Sequence, residues 1–152
     1  MKLQFVLFLL FCLNLQAKAQ KVPNPVRWSF KANKISAQEY QLVFTASIQK
    51  GWYLYSQNLN PGGPIPTSIN FRRSESYELV GTTEESGSKK SQGYDDIFGM
   101  QLLKYSSRVR FTQNVQIQED LEEISGYIEF MTCDNESCLP PKEIDFAFSF
   151  QK

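Results

Sequence analysis

Along most of this chain, apolar and polar residues alternate with a period of two. Tyr40, Leu42, Phe44, Ala46 and Ile48 share one parity, against Gln41, Val43, Thr45 and Ser47. Val109, Phe111, Val115 and Ile117 share a parity with Gln113, against Arg108, Arg110, Thr112, Asn114 and Gln116. Ile144, Phe146, Phe148 and Phe150 alternate with Asp145, Ala147 and Ser149. Successive side chains of a strand point to opposite faces, so each run predicts a strand with one buried face. Trp28–Phe30 and Ser68–Phe71 are shorter examples, and Gly126–Cys133 reads as a further strand. Turn chemistry separates the runs at Lys50-Gly51, at Asn60-Pro61-Gly62-Gly63-Pro64, and in the Ser, Gly and Lys cluster from Glu85 to Gln92. No stretch of about ten residues carries a capped helical stripe. Roughly seven to nine short strands at such spacing predict an all-β immunoglobulin-like β-sandwich. An eight-stranded barrel is the alternative. No repeat or linker divides the pattern, so a single domain is expected.

The first residues change the setting. Lys2 precedes a nearly continuous apolar run from Leu3 to Leu13, and Ala17-Lys18-Ala19 follows as a small-x-small cleavage pattern. This reads as a secretory signal peptide over residues 1–19, cut near Ala19. The run is too short to cross a bilayer comfortably. Cys12 follows Phe11, where a lipid-modification site calls for a small residue, and it is expected to leave with the signal. The chain from Gln20 onward, about 130 residues, is one domain long enough to bury a core. Lys2 and Lys18 leave with the signal, so the remaining 14 basic and 16 acidic residues give a net charge of −2. No basic excess is available to hold nucleic acid. No second long apolar segment follows, so a soluble exported protein is expected, in a compartment where disulfides persist.

Cys133 and Cys138 then carry the candidate chemistry, with Asp134, Asn135, Glu136 and Ser137 between them and no histidine anywhere in the chain. A zinc site calls for four Cys or His ligands, or three with an open position. Two thiolates with Asp134 and Glu136 match no usual site, so no metal is expected. A structural staple is the common fate of two cysteines in an exported protein. Closing so short a loop removes only about 2 kcal/mol of unfolded-chain entropy, however, and a bridge placed for stability would join distant strands. A redox couple needs access and a partner. A hairpin tip between Gly126–Cys133 and Glu143–Phe150 gives access, but it lacks the helix N-terminus that activates Cys-x-x-Cys thiols. Such a pair would be a poor attacker and a good recipient of another protein's thiolate. Spacing alone leaves staple and redox couple open.

Four separated segments together resemble one family. They are "GWYLYSQ" from Gly51 to Gln57, "GGPIPTSINF" from Gly62 to Phe71, "YDDIFG" from Tyr94 to Gly99, and "CDNESCLPPKEIDF" from Cys133 to Phe146. In this order and spacing they are similar to the amino-terminal periplasmic domain of DsbD, the transmembrane thiol-disulfide reductase of Gram-negative bacteria. The cysteine block is the most specific of the four. The resemblance implies an immunoglobulin-like sandwich with a redox-active pair at one end and a link to cytochrome c biogenesis. It implies reduction by a thioredoxin-like domain and delivery of electrons to thioredoxin-fold proteins of the periplasm. Cys138 would form the mixed disulfide with partners, and Cys133 would complete the internal bridge. Asp95, Asp96, Ile97, Phe98 and Gly99 map to a cap loop that shields the pair, and Tyr53 and Tyr55 map near it. Physically, an aromatic over a disulfide excludes small thiols, and a Gly-ended loop can swing aside. Read without the resemblance, Phe98 is a core aromatic, Tyr53 and Tyr55 are a same-face pair packing a sheet, and the four acids Asp95, Asp96, Asp134 and Glu136 are solvated.

Two departures stand out. The cysteine loop is one residue shorter than in the best-known members. The sequence also has no transmembrane electron channel and no thioredoxin-like domain, which implies reduction in trans, with a separate membrane thiol reductase as one candidate source. The expected activity is a protein-disulfide reductase relay with no organic cofactor. The rival is a non-catalytic exported interaction module with an inert bridge, using edge strands, the Tyr53–Tyr55 face and the Pro-rich loop as its partner surface.

Overall fold

The buried faces anticipated from the alternation meet in two packed sheets. The structure is a computed structural model and describes residues 22–118 and 120–150. The signal-peptide reading, with Cys12 and the Ala19 cut, lies outside the described residues. Nine strands are present among the described residues: β1 Val26–Lys34, β2 Glu39–Ile48, β3 Tyr53–Tyr55, β4 Ser68–Phe71, β5 Tyr77–Asp95, β6 Met100–Ile117, β7 Glu123–Phe130, β8 Thr132–Cys133 and β9 Lys142–Ser149. The larger sheet runs β1-β2-β6-β3-β8 with β5 also on β6, and the smaller runs β4-β7-β9. All pairings are antiparallel. This is the immunoglobulin-like sandwich and not the closed barrel. No helix occurs among the described residues, and hence none long and apolar enough to cross a membrane.

β6 organises the large sheet. β5 occupies one edge of it from end to end, from Tyr77↔Ile117 to Asp95↔Met100. The other edge is shared. β2 pairs with residues 108–116 of β6, and β3 pairs with Tyr105 and Lys104. A turn at Gln49–Trp52, closed by the Trp52 N–H on the Gln49 carbonyl (3.1 Å), interrupts the row between them. The next row out is divided in the same way, with β1 on β2 and β8 on β3. The first cysteine is thereby placed directly opposite Tyr53.

The main core fills the space between the sheets. Leu42, Phe44 and Ala46 of β2 and Val109, Phe111 and Val115 of β6 are fully buried, with Ile124 and Ile128 of β7 facing them. Phe44 stacks edge-on against Phe146 (4.8 Å between centroids) and Phe148 (5.3 Å) of β9. Edge-to-face geometry places positive ring edges on negative ring faces, so these contacts add about 0.5–1.5 kcal/mol each beyond area burial. Gln113, the polar residue on the apolar parity of β6, is buried and satisfied. It takes the Thr83 hydroxyl on Oε1 and donates through Nε2 to the Val80 and Asn114 carbonyls.

Two expectations are corrected. Glu85 to Gln92, read as turn chemistry, is the middle of β5. Paired on one side only, this strand tolerates polar residues on both faces; irregularities at Val80/Glu84 and Ser88/Lys90 disturb its register. Gly126–Cys133 is not one strand. The chain leaves the small sheet after Phe130, crosses at Met131 and enters the large sheet as β8.

Candidate functional site

The same alternation that builds the main core builds a second, smaller one. On β6, Tyr105 belongs to the main core while Leu102 belongs to a cluster with Tyr55 and Cys133. On β3, Leu54 and Tyr55 divide in the same way. Leu59, Phe98, Met100, Met131 and Cys138 pack against this second cluster. Period two thus assigns structural and site side chains to opposite faces of one sheet end.

Cys133 and Cys138 are joined by a disulfide, with their Cα atoms 4.0 Å apart. Their loop is braced by its own backbone and by Asp134. The Asp134 carboxylate accepts the backbone N–H groups of Glu136 (2.9 Å) and Ser137 (2.8 Å), and the Asp134 N–H donates to the Ser137 carbonyl (2.9 Å). Those backbone bonds hold the Asp134 carboxyl below its ordinary pKa, so its charge is engaged within the loop. The Leu139 N–H donates to the Thr132 carbonyl (2.9 Å) and closes the outer turn. Cys133 is 1% exposed, whereas Cys138 is half-buried.

The Asp95–Gly99 segment is the tip of the β5–β6 hairpin. The Gly99 N–H donates to the Asp95 carbonyl (2.8 Å), and Gly99 has φ +65, a conformation that side chains disfavour. Asp95 is buried, and its Oδ1 accepts the N–H groups of Ile97 (3.1 Å) and Phe98 (3.4 Å). Its Oδ2 accepts the Lys104 ammonium (2.9 Å) and the Tyr55 hydroxyl (3.4 Å). Burial pushes the Asp95 carboxyl up, but the hydrogen bond and charge of Lys104 and the two tip amides outweigh it, and the net shift is downward. Tyr55 is pushed well up by burial first and by the Asp95 carboxylate second, so its hydroxyl stays protonated.

Within the tip only Phe98 packs into the second cluster, its ring edge-on to Tyr55 at 5.9 Å. Asp96 and Ile97 are exposed, Ile97 by 44%. Tyr53 is half-buried; its hydroxyl donates to Asn135 Oδ1 (2.9 Å) in the cysteine loop, and the Lys104 ammonium sits 4.3 Å from its ring centre. Tyr55 is fully buried, which removes it from any partner-facing surface of the kind the interaction-module reading invoked. The cysteines, Phe98, Asp95, Tyr53 and Tyr55 therefore converge, while Asp96 and Ile97 remain on the outside.

The Pro-rich loop completes the enclosure. Gly63 lies so close to β6 that a β-carbon there would meet Met100 Sδ at 2.9 Å. The buried Thr67 hydroxyl donates to the Tyr55 carbonyl (2.6 Å). Thr67→Val keeps the shape but leaves that carbonyl without its partner, so a urea melt of the oxidised protein should show a loss of about 1–2 kcal/mol. An unshifted midpoint would mean that the carbonyl finds another donor.

Sequence reasoning missed Lys104, Met100, Leu102, Leu59, Met131 and Thr67. A signal was present for the β6 residues. Met100 to Lys104 directly follows the Asp95–Gly99 segment, so a hairpin centred on Asp96–Gly99 would have put Met100 opposite Asp95 and Lys104 opposite Ser91, from where its side chain reaches Asp95. Among the described residues no group of three or more Cys, Asp or Glu side chains is placed to hold a metal ion.

Solved structures share this fold. The N-terminal periplasmic domain of ScsB from Proteus mirabilis is 17% identical with a TM-score of 0.63, over 87% of this chain and 49% of that one. This chain thus spans about half the length of the ScsB chain. The DsbD N-terminal domain of Neisseria meningitidis in the reduced form is 16% identical with a TM-score of 0.52, over 82% and 86%. The complex between the DsbD N-terminal and PilB N-terminal domains of Neisseria meningitidis gives 15% and 0.50, over 88% of each. No curated protein matches the sequence. The family described as "Thiol:disulfide interchange protein DsbD, N-terminal" matches residues 18–149, and with its bridged cysteine pair this chain belongs to that family of thiol:disulfide interchange domains.

Proposed function

We propose that the domain is an electron relay, a protein-disulfide reductase acting through Cys133 and Cys138. The observation that carries this reading is the asymmetry of the bridge. One sulfur-bearing residue is buried in an aromatic cluster and the other is half-buried beside it. Disulfide exchange requires a thiolate to approach along the S–S axis, so the more open end receives the attack. A donor thiolate forms a bond to Cys138 Sγ, the S–S bond breaks, and Cys133 leaves as the thiolate. The donor's second thiolate then attacks its own sulfur in the mixed disulfide and releases Cys138. The domain has gained two electrons and the donor has become a disulfide. The same steps in reverse order, begun by the Cys138 thiolate on a partner disulfide and completed by Cys133, pass the electrons on.

Partners of the thioredoxin fold suit this geometry, because their low-pKa thiolates supply the attack that opens the oxidised bridge. The DsbD–PilB complex supports a partner docked on a domain of this fold. The periplasm is the proposed location, following the amino-terminal pattern and the periplasmic ScsB domain.

The test is exchange between the oxidised protein and a reduced thioredoxin at neutral pH, followed by thiol alkylation and mass measurement. Two alkylated cysteines should appear, and the reduced domain should then reduce a second thioredoxin-fold disulfide. A bridge that resists the donor while opening in the unfolded chain would identify an inert staple and sink the proposal.

A further inference from the structure

Lys104 belongs to neither the disulfide nor the tip, yet its side chain is only 20% exposed. Lysine on a sheet face ordinarily buries its stem and leaves the ammonium in water. Here the ammonium is drawn between the Asp95 carboxylate, at 2.9 Å, and the face of the Tyr53 ring, at 4.3 Å. The two partners belong to different parts of the enclosure. Asp95 carries the hairpin tip, because its other oxygen accepts the Ile97 and Phe98 amides. Tyr53 carries the cysteine loop, through its hydroxyl on Asn135. One cation on β6 therefore ties the cover to the bridge it covers.

We infer that Lys104 is a positioning residue that latches the hairpin tip over the Cys133–Cys138 bridge and so sets how fast a reductant reaches the sulfurs. The inference gives the relay a control point and rests on the relay reading for its purpose; the latch itself acts on the bridge with or without a partner. Charge is the working property. The groups facing the Asp95 carboxylate are the Lys104 ammonium from β6, the Tyr55 hydroxyl from β3 and the two tip amides, with the exposed Asp96 next along the chain. Of these, only Lys104 can balance a buried negative charge.

The Asp95 carboxyl lies below its ordinary value because Lys104 and the amides outweigh burial. A depressed carboxylate holds its contribution above the ordinary aspartate range and loses it only as pH falls through the lower, folded value. Without the cation, the two strongest lowering influences on Asp95 are gone, it takes up a proton at a higher pH than in wild type, and the latch loosens there.

The readout is the rate at which tris(2-carboxyethyl)phosphine reduces the oxidised protein at pH 7 and pH 5. The phosphine attacks the S–S bond directly, becomes a phosphine oxide with oxygen from water, and leaves two thiols; it works in acid and needs no protein partner. Rates are normalised to a small unhindered disulfide at each pH, and urea melts establish that each variant is folded. Lys104→Met keeps the stem and removes the charge, and a shift in the open fraction should make it about fivefold faster than wild type at pH 7, with a wider gap at pH 5. Lys104→Gln provides a second neutral side chain should the Met variant fold poorly. Lys104→Arg keeps the charge and should remain within about twofold of wild type. Wild-type rates in folded neutral variants would overturn the latch. So would equal acceleration by Arg and Met, which would assign the effect to stem packing. A bridge that thioredoxin cannot reduce, but that the phosphine reaches faster in the neutral variants, would remove the relay reading and leave the latch standing.

Discussion

Cys133→Ser is expected to turn the domain into a trap that accumulates mixed disulfides with thioredoxin-fold proteins, and Cys138→Ser is expected to abolish capture almost entirely. The two variants form a matched pair. Each removes the same bridge and the same short-loop entropy, about 2 kcal/mol, so a general loss of stability falls on both alike. What differs is which sulfur remains. Cys138 is half-buried at the outer end of a hydrogen-bonded turn, where a partner sulfur can approach. Cys133 is 1% exposed, opposite Tyr53 in the sheet, and shares its cluster with Tyr55 and Leu102. A lone Cys138 thiolate attacks a partner disulfide, and no second cysteine is left to resolve the product. Non-reducing gels after acid quenching, with bands identified by mass, count the trapped complexes. Better trapping by Cys133 in the Cys138→Ser protein would reverse the assignment of roles.

Phe98→Ala should accelerate reduction of the bridge by dithiothreitol about tenfold, the equivalent of about 1.4 kcal/mol of lost shielding. Phe98 packs with Tyr55 in the cluster that includes both cysteines, so its ring is expected to restrict approach to the S–S axis. Because Phe98 is only half-buried, truncation should cost about 1–2 kcal/mol of stability, below the about 3–5 kcal/mol of a fully buried Phe. Reduction rates are therefore measured beside urea melts of the oxidised forms. Faster reduction that disappears when stability is restored would make Phe98 an ordinary core aromatic. Ile97→Ala is the neighbouring control. Ile97 is 44% exposed, and its removal should leave the rate unchanged. An unchanged rate in folded Phe98→Ala would take this ring out of the site.

The comparison of neighbours at the tip shows where sequence reasoning stops. β2, the outer half of β6 and β9 were legible because each buries one face, and burial of one face writes period two into the sequence. β5 was not legible. Its unpaired edge leaves Glu84 to Gln92 free to be polar on both sides, and a polar strand reads as a loop. The cysteines and the Asp95–Gly99 segment were singled out together, through resemblance, and Phe98 of that segment shares a cluster with both cysteines. Their arrangement was not. Whether Phe98 or Ile97 turns inward depends on Gly99 adopting φ +65 and on two amides bonding the Asp95 side chain, and neither leaves a periodic trace. Lys104 escaped because a single lysine between Leu103 and Tyr105 looks like any solvated strand residue; the register pairs it with Ser91, and only its side chain, reaching along the hairpin, meets Asp95.

The division of labour along β6 has an evolutionary corollary. Leu102 and Lys104 lie on the face of the disulfide cluster while Tyr105, of opposite parity, serves the inter-sheet core. Inserting or deleting one residue in this stretch would exchange the two inventories, turning a lysine toward the aromatics of the core and a core tyrosine toward the sulfurs. Length variation is therefore barred from β6 and free only where the ladder has ended. The turn from Asp134 to Ser137 is such a place, since its own backbone and Asp134 hold it and the Tyr53 hydroxyl ties it to β3 through the side chain of Asn135. Descendants of this fold can retune the bridge by lengthening or shortening that turn, while the strand beneath it keeps count.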